Sequence, residues 1–94
     1  MKQVSNSANT MVTIIFESGM SKEITGKVSS FTYVKLIAEK FKHRYVKRIE
    51  IEYNTDEQTE LWACTQTKAW DAAGPMKYTQ WRKFGVFSNL QYVS

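Results

Sequence analysis

The sequence predicts a single α+β domain in which one helix packs on a mostly antiparallel sheet, with elements in the order β-β-α-β-β and further strands toward the C-terminus. Two periodicities and one size argument lead there. Apolar residues alternate with period two before residue 28 and again from residue 48, as half-buried strands require. Between these stretches they recur at steps of three and four, the spacing of one helix face. A chain of 94 residues with one cysteine has room for one modest core and no internal disulfide.

The first ten residues, MKQVSNSANT, are polar and aperiodic and read as a flexible tail, so the domain is expected to span 11–94. From Met11, Val12, Ile14 and Phe16 alternate with Thr13, Ile15 and Glu17, which predicts a strand. "ESGMSKE" supplies a turn, and Ile24, Gly26 and Val28 then alternate with Glu23, Thr25 and Lys27, closing a hairpin. Ser29 and Ser30 suit an N-cap, where a hydroxyl accepts from the first unpaired helical amides. Behind them Phe31, Val34, Ile37, Ala38, Phe41 and Tyr45 share a face opposite Lys35, Glu39 and Lys42, predicting an amphipathic helix of about fifteen residues. Its last turn would hold Lys42, His43 and Arg44, cations that favour the negative end of the helix dipole.

Period two returns with Ile49, Ile51 and Tyr53 against Arg48, Glu50 and Glu52. "NTDEQ" reads as a polar turn and "TELWACTQ" as the returning strand, giving a second hairpin of 48–53 with 59–66. In "TKAWDAAGPM", Thr67 could cap a short helical turn ended by Gly74 and Pro75, or the stretch could be a loop. The aromatic and basic "KYTQWRKFGVF" predicts a strand near 81–87, with Ser88 and Asn89 turning into a last strand at 90–93. The rhythm of "MVTIIFESGMSKEITGKV" followed by a helix is similar to the start of ubiquitin-like folds, and that resemblance of element order, covering the first half, implies a β-grasp-like arrangement.

Catalytic chemistry finds little to work with. One histidine and one cysteine cannot supply the four ligands of a closed zinc site. His43 and Cys64 fall on the helix end and on a strand, and read as a solvent-facing imidazole and a small semi-buried thiol rather than a base and nucleophile. Glu50 and Glu52 share a strand face about 6.8 Å apart, a spacing acid-base pairs use, but solvated strand faces commonly carry such pairs. Gly19, Gly26, Gly74 and Gly85 form no phosphate-binding pattern. The expectation is therefore no enzyme, no cofactor and no metal. The lone cysteine, needing no disulfide framework, predicts a cytoplasmic chain, and the polar N-terminus with no run of eighteen apolar residues predicts no membrane partner.

Two surfaces remain as candidates. Lys40, Lys42, His43, Arg44, Lys47 and Arg48, joined by Lys77, Arg82 and Lys83 beside Tyr78, Trp81 and Phe84, combine cations with rings as single-stranded nucleic acid requires. The competing reading makes those rings core residues and the cations a solvated helix end. Glu50, Glu52, Asp56, Glu57 and Glu60, on neighbouring antiparallel strands, could form one negative patch that docks a basic site on another protein. With blocks of both signs and a net charge of +4, the expected function is a non-enzymatic protein-binding module. It would act as an adaptor, regulator or inhibitor, by analogy with small proteins that phage and plasmid genomes direct at host defences. Nucleic-acid binding is the alternative.

Overall fold

The computed structural model describes residues 8–67 and 77–89. Five strands and one helix follow in chain order: β1 (Ala8–Phe16), β2 (Ser21–Val28), α1 (Phe31–Glu39), β3 (Val46–Asn54), β4 (Gln58–Thr65) and β5 (Arg82–Ser88). They build the expected α+β domain around one sheet of order β2-β1-β3-β4-β5. Every pairing in it is antiparallel. Since β2 and β3 are both antiparallel to β1, they run parallel to each other, and α1 makes the crossover that such a pair needs. The β-β-α order of the hairpin and helix is present, and β3, β4 and β5 continue as an antiparallel meander beside β1.

Alternation decides which side chains meet α1. Val12 faces Ile51 and Ile14 faces Ile49 across β1 and β3, while Cys64 and Trp62 continue the same two rows on β4. Val34 and Ala38, one helical turn apart on α1, close over these rows to complete the buried core. The Phe31 ring lies 4.5 Å from Trp62 and meets Tyr53 edge-on at 5.5 Å, sealing one end. Ser30 caps α1 as expected, its hydroxyl accepting from the Tyr33 amide at 3.2 Å.

Two expectations need correction. β1 begins at Ala8, not at Met11, so the last three residues assigned to the tail belong to the sheet. Ala8 and Thr10 are buried, and the Thr10 hydroxyl donates to the Gly26 carbonyl. The cause is the central position of β1: a partner on each side satisfies both edges of its backbone whatever its local propensity. Residues 1–7 lie outside the described residues. The second correction concerns α1, which ends at Glu39 with Lys40 as its cap and no basic residue in its last turn. Lys42, His43 and Arg44 therefore lie in a loop, where the helix dipole plays no part. Tyr45 is 60% exposed instead of sitting on the buried face.

Tertiary hydrogen bonds replace the missing helical turns. The Tyr78 hydroxyl lies 2.7 Å from the Val46 carbonyl and 2.9 Å from that of His43, and it accepts from the His43 amide. The Gln66 amide nitrogen reaches the carbonyls of His43 and Arg44 at 3.1 and 3.2 Å. These groups satisfy loop backbone that would otherwise continue the helix. β3 and β4 form the expected hairpin, with ends shifted by a residue or two, and β5 lies within a residue of its expected place. The helical turn considered after Thr67 and the last strand at 90–93 fall outside the described residues. No described helix is long and apolar enough to cross a membrane.

Candidate binding face at the β5 edge

The five acidic candidates do not share a surface. Glu50 and Glu52 project from the face of β3 opposite α1, where Glu50 accepts from the Arg48 Nε at 2.7 Å and Glu52 from the Asn54 side chain at 3.1 Å. Glu60 pairs with Tyr53 and turns toward the helix side, accepting from Trp62 Nε1 at 2.9 Å and Gln58 Nε2 at 2.7 Å. Asp56 and Glu57 are exposed on the β3–β4 turn. Spacing placed these carboxylates close in sequence, but strand alternation sends them to opposite faces.

The basic candidates are better gathered, although several are already occupied. Lys42 sits 3.8 Å from Glu39 and 5.1 Å over the Tyr78 ring, and Arg44 lies 5.6 Å over Tyr45. Arg48 holds Glu50, reaches the Thr65 hydroxyl at 3.3 Å and stands 5.5 Å over the Phe84 ring. Lys83 stands 5.6 Å over Trp62 on the helix side. Lys40, Lys47, Lys77 and Arg82 are exposed. Trp81 donates its indole N–H to Glu39 at 2.9 Å and packs half-buried against the core, so its ring is engaged by the helix instead of standing clear as a stacking platform.

Arg48, Arg82 and Phe84 were already candidates from the sequence; what spacing missed is that Ala63, Thr65 and Thr79 join them and that Val86 and Phe87 stand exposed farther along β5. Register places Thr65 beside Arg48 and Ala63 beside Arg82, all on the face away from α1. Between them a concavity of about 250 Å³ opens, lined by Arg48, Ala63, Thr65, Thr79, Arg82 and Phe84. The Thr79 hydroxyl accepts from the Thr65 amide at 3.0 Å, tying the segment before β5 to the rim. A bulge shapes the same place: pairing steps from Leu61 with Gly85 to Trp62 with Lys83, leaving Phe84 as the extra residue. A Cβ at Gly85 would stand 3.1 Å from the Leu61 Cδ1, so a larger residue at the bulge would press on that side chain.

Farther along β5, Phe84, Val86 and Phe87 are 50%, 48% and 58% exposed. Among the described residues β5 is paired on one side only, as is β2 at the other edge. The two edges are protected differently. β2, SKEITGKV, carries charges along its length and turns its one large apolar residue before Val28, Ile24, toward the core. β5, RKFGVFS, confines its charges to the first two positions and leaves three large apolar side chains in water. A second recess, at the β1–β2 hairpin, sets Phe16, Met20 and Tyr45 beside Glu17, Ser18, Ser21 and Lys22.

Cys64 holds its thiol shielded from solvent. It is buried beside Ile49, and desolvation pushes its thiol up to about 11, so it stays protonated at neutral pH. His43 is exposed in the loop, its Nδ1 accepting from the Tyr45 amide. Among the described residues no three His, Cys, Asp or Glu side chains gather as a metal ion would require. No protein-family model matches the chain, and no curated protein or solved structure matches it.

Proposed function

We propose that this chain is a small non-enzymatic protein-binding module that engages its partner through the edge of β5. The observation that carries the reading is the exposure of Phe84, Val86 and Phe87 on a strand with one neighbour among the described residues. An unpaired strand edge offers backbone donors and acceptors to an incoming segment, and flanking apolar side chains add buried area. Soluble domains ordinarily blunt such edges with charge, as β2 does here. An adaptor, a regulator or an inhibitor that masks a partner's surface would each work by this means. The reading replaces the acidic patch with β5 as the docking element.

Nucleic-acid binding keeps one observation in its favour, the pair Arg48 and Arg82 beside the Phe84 ring. Glu50 and Glu52 on the same sheet face oppose a phosphate backbone, and the engagement of Trp81 by Glu39 occupies one stacking ring.

The test is capture from a nuclease-treated lysate with the chain and its double variant Val86→Thr, Phe87→Thr, which keeps residues suited to a strand but removes apolar surface. A discrete protein retained by the parent and lost by the variant, at unchanged melting temperature, is the expected result. Equal retention would remove β5 from the interface. Tight binding to single-stranded DNA that collapses with rising salt would transfer the function to nucleic acid.

A further inference from the structure

We infer that the segment received by the β5 edge is an extended acidic stretch of the partner, with one carboxylate held by Arg82 at the rim of the Arg48, Thr65 and Thr79 concavity. This rests on the protein-binding reading and adds to it the chemistry of the partner.

The first ground is an imbalance between two arginines. Arg48 is neutralised in place by Glu50 at 2.7 Å and is further engaged by Thr65 and Phe84. The Arg82 guanidinium is exposed and has no hydrogen bond or ion pair among the described residues. Glu50 belongs to the same cross-strand row as Arg82, but Ala63 separates them, placing the two backbones about two strand spacings, roughly 9.6 Å, apart. Among the described residues, the row therefore ends on a cation with no carboxylate partner.

Register supplies the second ground. A strand added beside β5 would bring side chains about 4.5–5.5 Å from those they face, so a glutamate or aspartate opposite Arg82 reaches its fork directly. Thr79 Oγ1 already accepts from the Thr65 amide, which leaves its hydroxyl proton free to donate to an anion at the same rim. The concavity of about 250 Å³ gives room for that carboxylate with water. Farther along, Phe87 and Gly85 lie on this face and Val86 on the other. The segment that fits is thus acidic at the Arg82 end and less polar toward Ser88.

A second copy of the chain fits less well. β5 reads RKFGVFS and carries no carboxylate, so antiparallel pairing of two β5 strands leaves Arg82 unmatched on both copies. The cation asks for an opposite charge from elsewhere.

The test is an amide-resolved NMR titration of the full chain with short synthetic peptides of alternating threonine and glutamate, threonine and lysine, or threonine and serine, and with a short single-stranded oligothymidylate. The glutamate peptide is expected to shift the amides of Arg82–Ser88. Arg82→Glu should weaken it by about tenfold at low salt and let the lysine peptide bind in its place. Arg82→Lys should recover part of the affinity, since it keeps the charge but loses the fork. Equal binding of all three peptides at β5 would overturn the acidic preference while leaving the edge as the docking element. Shifts away from β5, or no binding by any peptide, would overturn this inference, and the capture experiment with Val86→Thr, Phe87→Thr would still report on the protein-binding reading. Tighter binding of the oligothymidylate at the same residues would also overturn it, in favour of nucleic acid.

Discussion

Cys64 and Tyr78 sit on neighbouring parts of the molecule and both make the fold sensitive to alkali. Burial raises the Cys64 thiol from 9.0 to about 11 and raises the Tyr78 phenol above its ordinary value of 10.0. For the thiol, the folded state holds a proton through a window in which the unfolded chain has released it. Its contribution is therefore complete below pH 9 and is lost as pH rises from 9 toward 11. Two pH units correspond to a loss of about 2–3 kcal/mol as an upper bound. Denaturant melts across this range should show stability falling with pH, and Cys64→Ala should flatten the fall, leaving a residue of it from Tyr78 above pH 10. A slope unchanged in Cys64→Ala would mean that the thiol is not the titrating group. The strand pattern predicts only a semi-buried Cys64, whereas the residue is 1% exposed within the core. The role of Tyr78 was not legible, because its bonds to His43 and Val46 join residues more than thirty positions apart, where local pattern carries no signal.

At the scale of elements, the two hairpins and the helix start were legible because each rests on a local device: period-two alternation, a turn with Gly19 at φ +96°, and the Ser30 cap. The start of β1 was not legible, since Ala8, Asn9 and Thr10 form a strand through two flanking partners and not through propensity. The end of α1 was overestimated for a related reason: Phe41 keeps helical spacing and packs on the core, yet it does so from a turn whose backbone Tyr78 and Gln66 stabilise. These differences predict separate outcomes for two truncations. Removing residues 1–7 should leave the melting temperature nearly unchanged. Removing 1–10 takes away the buried Ala8 and Thr10 and their pairing with Val28 and Gly26, and should lower it by about 5–10 °C. Equal melting temperatures for both truncations would show that strand pairing before Met11 adds no stability. The proposed docking edge was the hardest part to read, because being an edge is a property of strand order, which no window of the sequence contains.

Across the whole molecule, the reversal of charge between residues 40 and 60 becomes a separation in space. β3 runs from Lys47 and Arg48 at one end to the Asp56 and Glu57 turn at the other, and its nine residues span about 27 Å. That exceeds the screening length of about 8 Å at physiological ionic strength several times over, so the two ends act on a partner independently. β5 shares this polarity: Arg82 pairs beside Ala63 near the basic end, while Asn89, just past Ser88, donates to the Glu57 carbonyl at the acidic end. If local steering governs association with an acidic segment, the end of the molecule should matter more than its total charge. Arg44→Glu with Lys47→Glu removes four units from the net charge of +4, and Asp56→Lys with Glu57→Lys adds four. Against the threonine–glutamate peptide, the first pair should slow association by about tenfold at low salt, a loss that shrinks as salt rises, because screening weakens steering and leaves the contacts. The second pair should change the on-rate by less than about twofold, lying beyond the screening length from Arg82. Stopped-flow measurement over a salt series decides between the alternatives: opposite changes of similar size would assign steering to net charge, and no change from either pair would reduce both ends of β3 to solvated surface.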